Sequence, residues 1–131
     1  MRARQIHIKD TNGRRRTLYF DRQYNDTLGL MSESAHANSI PVEVPGVDAR
    51  RLQVRLLSPL DLAVSKLARF GESDQADIKE LARAGLINAK DLRELAESAL
   101  VGYVGRVSDV QISIDLACRM VDETTKAARK R

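Results

Sequence analysis

Two acids, Asp74 and Asp77, and two cations, Lys66 and Arg69, form the most suggestive chemical group in this 131-residue sequence. On a helical wheel of about 100° per residue, Asp74 and Asp77 fall in the arc of Ile78 and Leu81, while Lys79, Glu80 and Arg83 take the opposite side. Two inward carboxylates need cationic or amide partners, because an unpaired buried carboxylate costs several kcal/mol. Lys66 and Arg69, one turn apart on the preceding helix, are the natural partners. Two readings follow. In the structural one, Asp74 caps its helix at the favourable end of the dipole and Asp77 closes an ion pair. In the functional one, Lys66 and Arg69 line a phosphate-binding cleft and the two aspartates hold them in position.

Other reactive residues stand more alone. His7 falls in a predicted strand and His36 in a polar loop, with no acid or cysteine at metal-ligand spacing, so both read as ordinary histidines. Cys118 has no neighbouring cysteine or histidine and reads as a packed helix residue. Arg14-Arg15-Arg16 and Arg129-Lys130-Arg131 have the charge to meet phosphates, but two Phe, three Tyr and no Trp leave little for base stacking, and solvated charge is the simpler reading. Catalytic triad order, a Walker loop and Rossmann glycines are all missing from the sequence.

The elements that position these residues divide into a β-rich front, residues 1–57, and a helical back, residues 58–125, within one domain spanning 1–131. Gln5 to Lys9 and Arg14 to Phe20 are strand-like and flank Asn12-Gly13, whose tolerance of positive φ marks a hairpin. Residues 22–39 read as a loop or short helix. Ile40 to Val44 reads as an edge strand because Pro41 cannot donate to a central ladder. In Arg51 to Leu57, apolar Leu52, Val54 and Leu56 alternate with Arg51, Gln53 and Arg55, which makes this the clearest predicted strand.

From Ser58 the period becomes helical. Ser58-Pro59 is a start signal, and Leu60, Ala63, Val64, Leu67 and Phe70 form one stripe ended by Gly71. A second helix is expected from Ser73 or Asp74 to before Gly85, and a third is capped by Asn88. A fourth opens on the capping-box spacing of Ser108 and Gln111 and carries Val110, Ile114, Ala117 and Val121. The basic tail, residues 126–131, lacks the stripe and is expected to fray. The fold class is therefore α+β: an N-terminal β-hairpin and short strands packed against a C-terminal bundle of about four helices.

The run Leu56-Leu57-Ser58-Pro59-Leu60-Asp61 through Lys66-Leu67-Ala68-Arg69, then Asp74-Gln75-Ala76-Asp77-Ile78, resembles the back half of bacterial nucleotidyltransferase-like proteins of uncharacterised function. Relatives of abortive-infection toxins of the AbiEii type are among them. Their pattern is a strand, then S-x-x-x-L-x-x-x-K, then D-x-x-D-[IL]. The resemblance implies a partial nucleotidyltransferase-like fold, Lys66 as a nucleotide- or phosphate-contacting base, and Asp21, closing the strand Arg16 to Phe20, as a metal-binding acid. It also implies Mg²⁺ as the only cofactor, and only if the nucleotidyltransferase reading holds. A toxin–antitoxin or phage-defence setting belongs to the same resemblance. Such enzymes use a Gly-Gly or Gly-Ser turn followed by Asp-x-Asp to hold two metals. Neither occurs in this sequence, so the expectation is a chain resembling the back of the domain, catalytically incomplete, binding nucleotide or RNA phosphate. The alternative is a non-catalytic interaction module that self-associates or pairs with a partner protein through an exposed sheet edge.

Composition sets outer limits. At 43% hydrophobic and 31% charged, the sequence suits one folded core and not a disordered chain. One cysteine cannot make an internal disulfide, no apolar run approaches the ~20 residues of a membrane span, and the start lacks a signal-peptide core, which points to the cytoplasm. The net charge of +4 and a pI near 9.5 are unevenly spread. Residues 1–22 hold seven cations against two acids, residues 23–125 eleven against sixteen, and residues 126–131 four against none.

Overall fold

Asn12-Gly13 does reverse the chain, and the acid before it fixes how. The computed structural model describes residues 4–20 and 29–130. Strands β1 (Arg4–Lys9) and β2 (Arg15–Phe20) pair antiparallel, with Ile6 opposite Leu18, His7 opposite Thr17 and Lys9 opposite Arg15. Oδ1 of Asp10 accepts the backbone N–H groups of Asn12 and Arg14, each at 2.9 Å, and its carbonyl accepts that of Gly13. Of the turn residues Gly13 alone takes a positive φ, 75°, so the loop is wider than a two-residue hairpin turn. The Arg14 N–H holds the Asp10 carboxyl below the usual range, helped by the Arg16 side chain and the Asn12 N–H. Residues 5–9 and 11–17 are all exposed.

After the short helix α1 (Ala35–Asn38), β3 (Ile40–Val42) pairs antiparallel with β4 (Val54–Leu56). The strand expected over Arg51 to Leu57 is therefore shorter. Asp48 is the reason: its carbonyl accepts the N–H groups of Arg51 and Leu52 at 2.9 and 3.0 Å, holding the chain in a turn through Arg51. Of its apolar residues Val54 is half-buried, while Leu52 is 56% and Leu56 61% exposed. Arg55 ties this ribbon back to α1, donating from Nε to Ser39 Oγ at 2.7 Å and from Nη2 to the Ser39 carbonyl at 2.8 Å.

Helix α2 (Pro59–Ser65) starts where Ser58-Pro59 predicts, with Ser58 Oγ accepting the Asp61 N–H at 3.1 Å. It ends earlier than its stripe suggests. The N–H groups of Lys66 and Leu67 bond back only three residues, to Ala63 and Val64, which tightens the last turn and unwinds the helix. Phe70 then takes a left-handed φ of 49°. Helix α3 (Glu72–Arg83) begins one or two residues before the expected Ser73 or Asp74, with Gly71 as its cap. Helix α4 (Ala89–Leu100) is capped as predicted: Asn88 Oδ1 accepts the Asp91 N–H at 2.8 Å. Helix α5 (Val107–Arg129) corrects the expected Ser108 start, because Arg106 is its cap and no side chain bonds there. It also runs through most of the basic tail, where Ala127 and Ala128 share a groove with Lys79 and Arg83 of α3. Between α4 and α5 the chain passes so close to the Tyr103 ring that a Cβ on Gly105 would come within 2.8 Å of it.

The α+β class holds, with the core in the helices. Val110, Ile114, Ala117, Cys118 and Val121 give α5 a buried stripe that meets Ile78 and Ala82 of α3 and Leu92, Ala96 and Ala99 of α4. Ala63, Val64 and Leu67 close it from the α2 side, and Leu30 fills the remaining edge. Residues 5–9 and 15–17 of the first ribbon, and all of β3 and β4, lie outside this core. Among the described residues, no helix is long and apolar enough to cross a membrane. Replacing Leu92, fully buried, with Ala should cost about 2–5 kcal/mol in urea denaturation. Val101→Ser, at a residue 91% exposed, should stay within about 0.5 kcal/mol of the wild type.

Candidate functional site

The unwound end of α2 and the first two turns of α3 bring four of the five predicted site residues together. Arg69 grips Asp74 in a two-pronged pair, Nε to Oδ2 at 2.8 Å and Nη2 to Oδ1 at 2.9 Å. The Gly71 N–H adds a third bond to Oδ2 at 3.0 Å. Lys66 Nζ lies 2.7 Å from Asp77 Oδ2 and 3.9 Å from Asp74 Oδ1. Asp74 is buried as expected, but the inward placement of Asp77 is corrected: its side chain is 55% exposed. The buried face of α3 is centred on Asp74, Ile78 and Ala82, and Asp77 sits at its rim, within reach of Lys66. Arg69's hydrogen bonds bring the Asp74 carboxyl down to about 2 against the opposing effect of burial, with help from the Gly71 N–H and the charges of Arg69 and Lys66. The same pairing raises Arg69.

Both cations are held by aspartates and still have donors to offer. Lys66 has three N–H donors and two carboxylate neighbours, and Arg69 keeps a largely exposed guanidinium whose Nη1 is not used by Asp74. An incoming phosphate would meet a preset pair of cations. A divalent metal would not find ligands here, because Asp74 already spends both oxygens on Arg69 and Gly71 and Asp77 faces an ammonium. Among the described residues there is no group of three or more His, Cys, Asp or Glu suited to a metal. Asp21, the predicted metal acid, lies outside the described residues.

A second buried acid was not singled out by the wheel. Asp61, 1% exposed, accepts from Ser32 Oγ at 2.9 Å and from Ser58 Oγ at 2.6 Å. Because the Ser32 hydroxyl proton goes to Asp61, the contact between Ser32 and Ser34 at 3.1 Å is donated by Ser34. The sequence signal was Ser58-x-x-Asp61, a capping-box spacing ahead of an apolar run. Elsewhere, His7 meets Thr17 at 3.2 Å, His36 is exposed, and Cys118 is buried with its thiol donating to the Ala89 carbonyl at 3.5 Å and pushed up by burial. A groove of about 780 Å³ runs along the β3–β4 ribbon, lined by Val42, Val44, Val47, Leu52 and Val54 among others, and includes none of the four cluster residues.

Asp74 is ionised more readily folded than unfolded, so its contribution to stability is complete above about pH 4 and disappears as pH falls through about 2. Asp74→Asn should therefore lower stability at pH 7 by about 1–3 kcal/mol, and the gap between variant and wild type should close between about pH 4 and 2. Urea denaturation of both proteins across that range measures it.

The family described as a nucleotidyltransferase of unknown function (DUF6036) matches residues 39–120, from the end of α1 into α5. No curated protein and no solved structure matches the chain. The matched segment covers more than half of the sequence and contains Lys66, Arg69, Asp74 and Asp77 together with the helices that position them, and the chain belongs to the DUF6036 family of nucleotidyltransferases of unknown function.

Proposed function

We propose that this chain binds a nucleotide or an RNA phosphate through Lys66 and Arg69, with Asp74 and Asp77 as positioning residues. The observation that carries the reading is the meeting of both cations on one buried carboxylate, inside the segment that matches a nucleotidyltransferase family. Asp74 fixes the guanidinium plane, and Asp77 draws the ammonium to the rim of α3, so a phosphate would bind without first ordering two long side chains. Kinship with AbiEii-type toxins, and the toxin–antitoxin setting it brings, belongs to this proposal and is supported by the S-x-x-x-L-x-x-x-K and D-x-x-D-[IL] pattern. The sequence contains no Gly-Ser or Gly-Gly turn and no Asp-x-Asp pair, so the proposal is of binding and not of transfer by this chain alone.

Titration with ATP, GTP, CTP and UTP in the presence of Mg²⁺ should show saturable binding at or below millimolar concentration. Lys66→Ala should weaken it at least ~10-fold, the scale of about 1.4 kcal/mol for a charge-assisted hydrogen bond. No saturation with any of the four nucleotides or with a short single-stranded RNA, or an unaltered Lys66→Ala variant, would remove the reading.

A second reading, of an interaction module, is favoured by a different observation. Ile40, Val42, Leu52 and Leu56 on one ribbon and Ile6 and Ile8 on the other are 40–61% exposed, and two-stranded ribbons are marginal alone. Under this reading the chain self-associates or takes a partner protein over these strands, and light scattering should give a mass above the 14.6 kDa of one chain. A monomer at high micromolar concentration would count against self-association.

A further inference from the structure

Four cations, Lys9, Arg14, Arg15 and Arg16, crowd the turn end of the β1–β2 ribbon against one acid, Asp10. All four cations are exposed. Asp10 engages Arg16 at 3.3 Å. Lys9 and Arg15 stand directly opposite each other in the register, and neither has an acidic partner among the described residues. Like charges paired across strands, with Cβ atoms about 4.5–5.5 Å apart, destabilise a ribbon unless an anion lies across them.

The faces of the ribbon narrow the choice of anion. Successive residues point to opposite faces, so Lys9 and Arg15 share one face with His7 and Thr17, while Arg14 and Arg16 fall on the other with Asp10. The Asp10 N–H donates to the Arg14 carbonyl at 3.0 Å, which extends the ladder to that residue. A flat acidic surface would satisfy one face only. A groove between two phosphate walls satisfies both. The major groove of B-DNA, about 12 Å wide, admits a two-stranded ribbon, whereas that of A-form RNA is too narrow. The Asp10 bonds to Asn12, Gly13 and Arg14 hold the turn in shape beforehand, so little conformational freedom is lost on entry.

We propose that the β1–β2 ribbon is a duplex-DNA contact whose turn end enters the major groove, with Lys9 and Arg15 facing one phosphate backbone and Arg14 and Arg16 the other. The contact reads backbone charge, not base sequence. It does not rest on nucleotide binding at Lys66.

The test is fluorescence anisotropy of the full chain with a labelled duplex DNA of about 20 base pairs, without nucleotide or Mg²⁺, across a salt series. Wild type should bind, with log affinity falling linearly with log salt. The Lys9→Thr/Arg15→Thr double variant should lower the slope by about 2, near 0.9 for each phosphate no longer neutralised, and weaken binding at least ~10-fold at low salt. Threonine suits a strand and removes the like-charge pair, so the ribbon is expected to survive the change and unfolding would not explain the weaker binding. Arg14→Ala/Arg16→Ala should do the same from the other face, while Lys126→Ala, at an exposed position of α5, should retain wild-type affinity. The proposal is overturned by any of five results: no duplex binding by wild type, a salt slope unchanged in the double variants, weakening from one face only, tighter binding to duplex RNA, or equal competition by poly-glutamate.

Discussion

The Asp74 carboxylate is the constraint through which the end of α2, the Lys66–Phe70 turn and the start of α3 become one unit. Its oxygens take Arg69 from within the turn and the Gly71 N–H from just after it, while Lys66 approaches from the position that caps α2. Between these ties Phe70 holds a left-handed φ of 49°, a conformation that costs a non-glycine residue about 1–3 kcal/mol and persists where its surroundings over-determine it. Gln75 supports the same bend by donating from Nε2 to the Phe70 carbonyl at 3.1 Å. The angle between two core helices thus depends on the same side chains that present the cations.

The two buried acids do parallel work at the two ends of α2. Each lies in the first turn of its own helix, where the free N–H groups and the dipole favour negative charge. Asp61 draws in the Ser32 segment, 29 residues upstream, using hydroxyl donors; Asp74 fixes the opposite end, using an arginine and a backbone amide. Helix α2 has only seven residues, too few to be stable alone, so these end clamps and the burial of Ala63 and Val64 must hold it. Unpaired carboxylates at either place would cost more than the short helix contributes.

Local signals made much of this legible in the sequence. Asn12-Gly13, Ser58-Pro59 and Asn88 each act through their own backbone neighbourhood, and each marks a turn or cap where expected. The Asp74 pairing was readable too, because the wheel places an acid on an apolar face and a cation must then be near. What the wheel could not give was the width of that face, and Asp77 fell just beyond its rim. The early end of α2 was hidden because Leu67 stays buried after the backbone has left the helix, so the apolar stripe continues across the break. At Asp61 the spacing from Ser58 marks a cap and not a burial, because the Ser32 segment that helps cover it is 29 residues away in the chain. Leu52 and Leu56 show the converse, since alternation establishes that a strand has two faces and says nothing of whether either is covered.

The net charge of +4 acquires meaning only when the cations are sorted by what already holds them. Lys66 and Arg69 are neutralised locally by Asp74 and Asp77, so their value to an anion lies in position: the phosphate gains two fixed donors and little net field. Lys9, Arg14 and Arg15 pair with no acid among the described residues, and their mutual repulsion is relieved by any dense negative charge that spans the ribbon. The first arrangement selects by geometry, is partly shielded from solvent at Lys66, and should respond weakly to salt. The second is exposed, acts over a Debye length of about 8–10 Å, and should respond strongly. Two anion-facing surfaces on one small chain therefore differ in kind. Under the two proposals, a polyanion is drawn first to the ribbon, and the buried carboxylate reserves the helical site for a single well-placed phosphate.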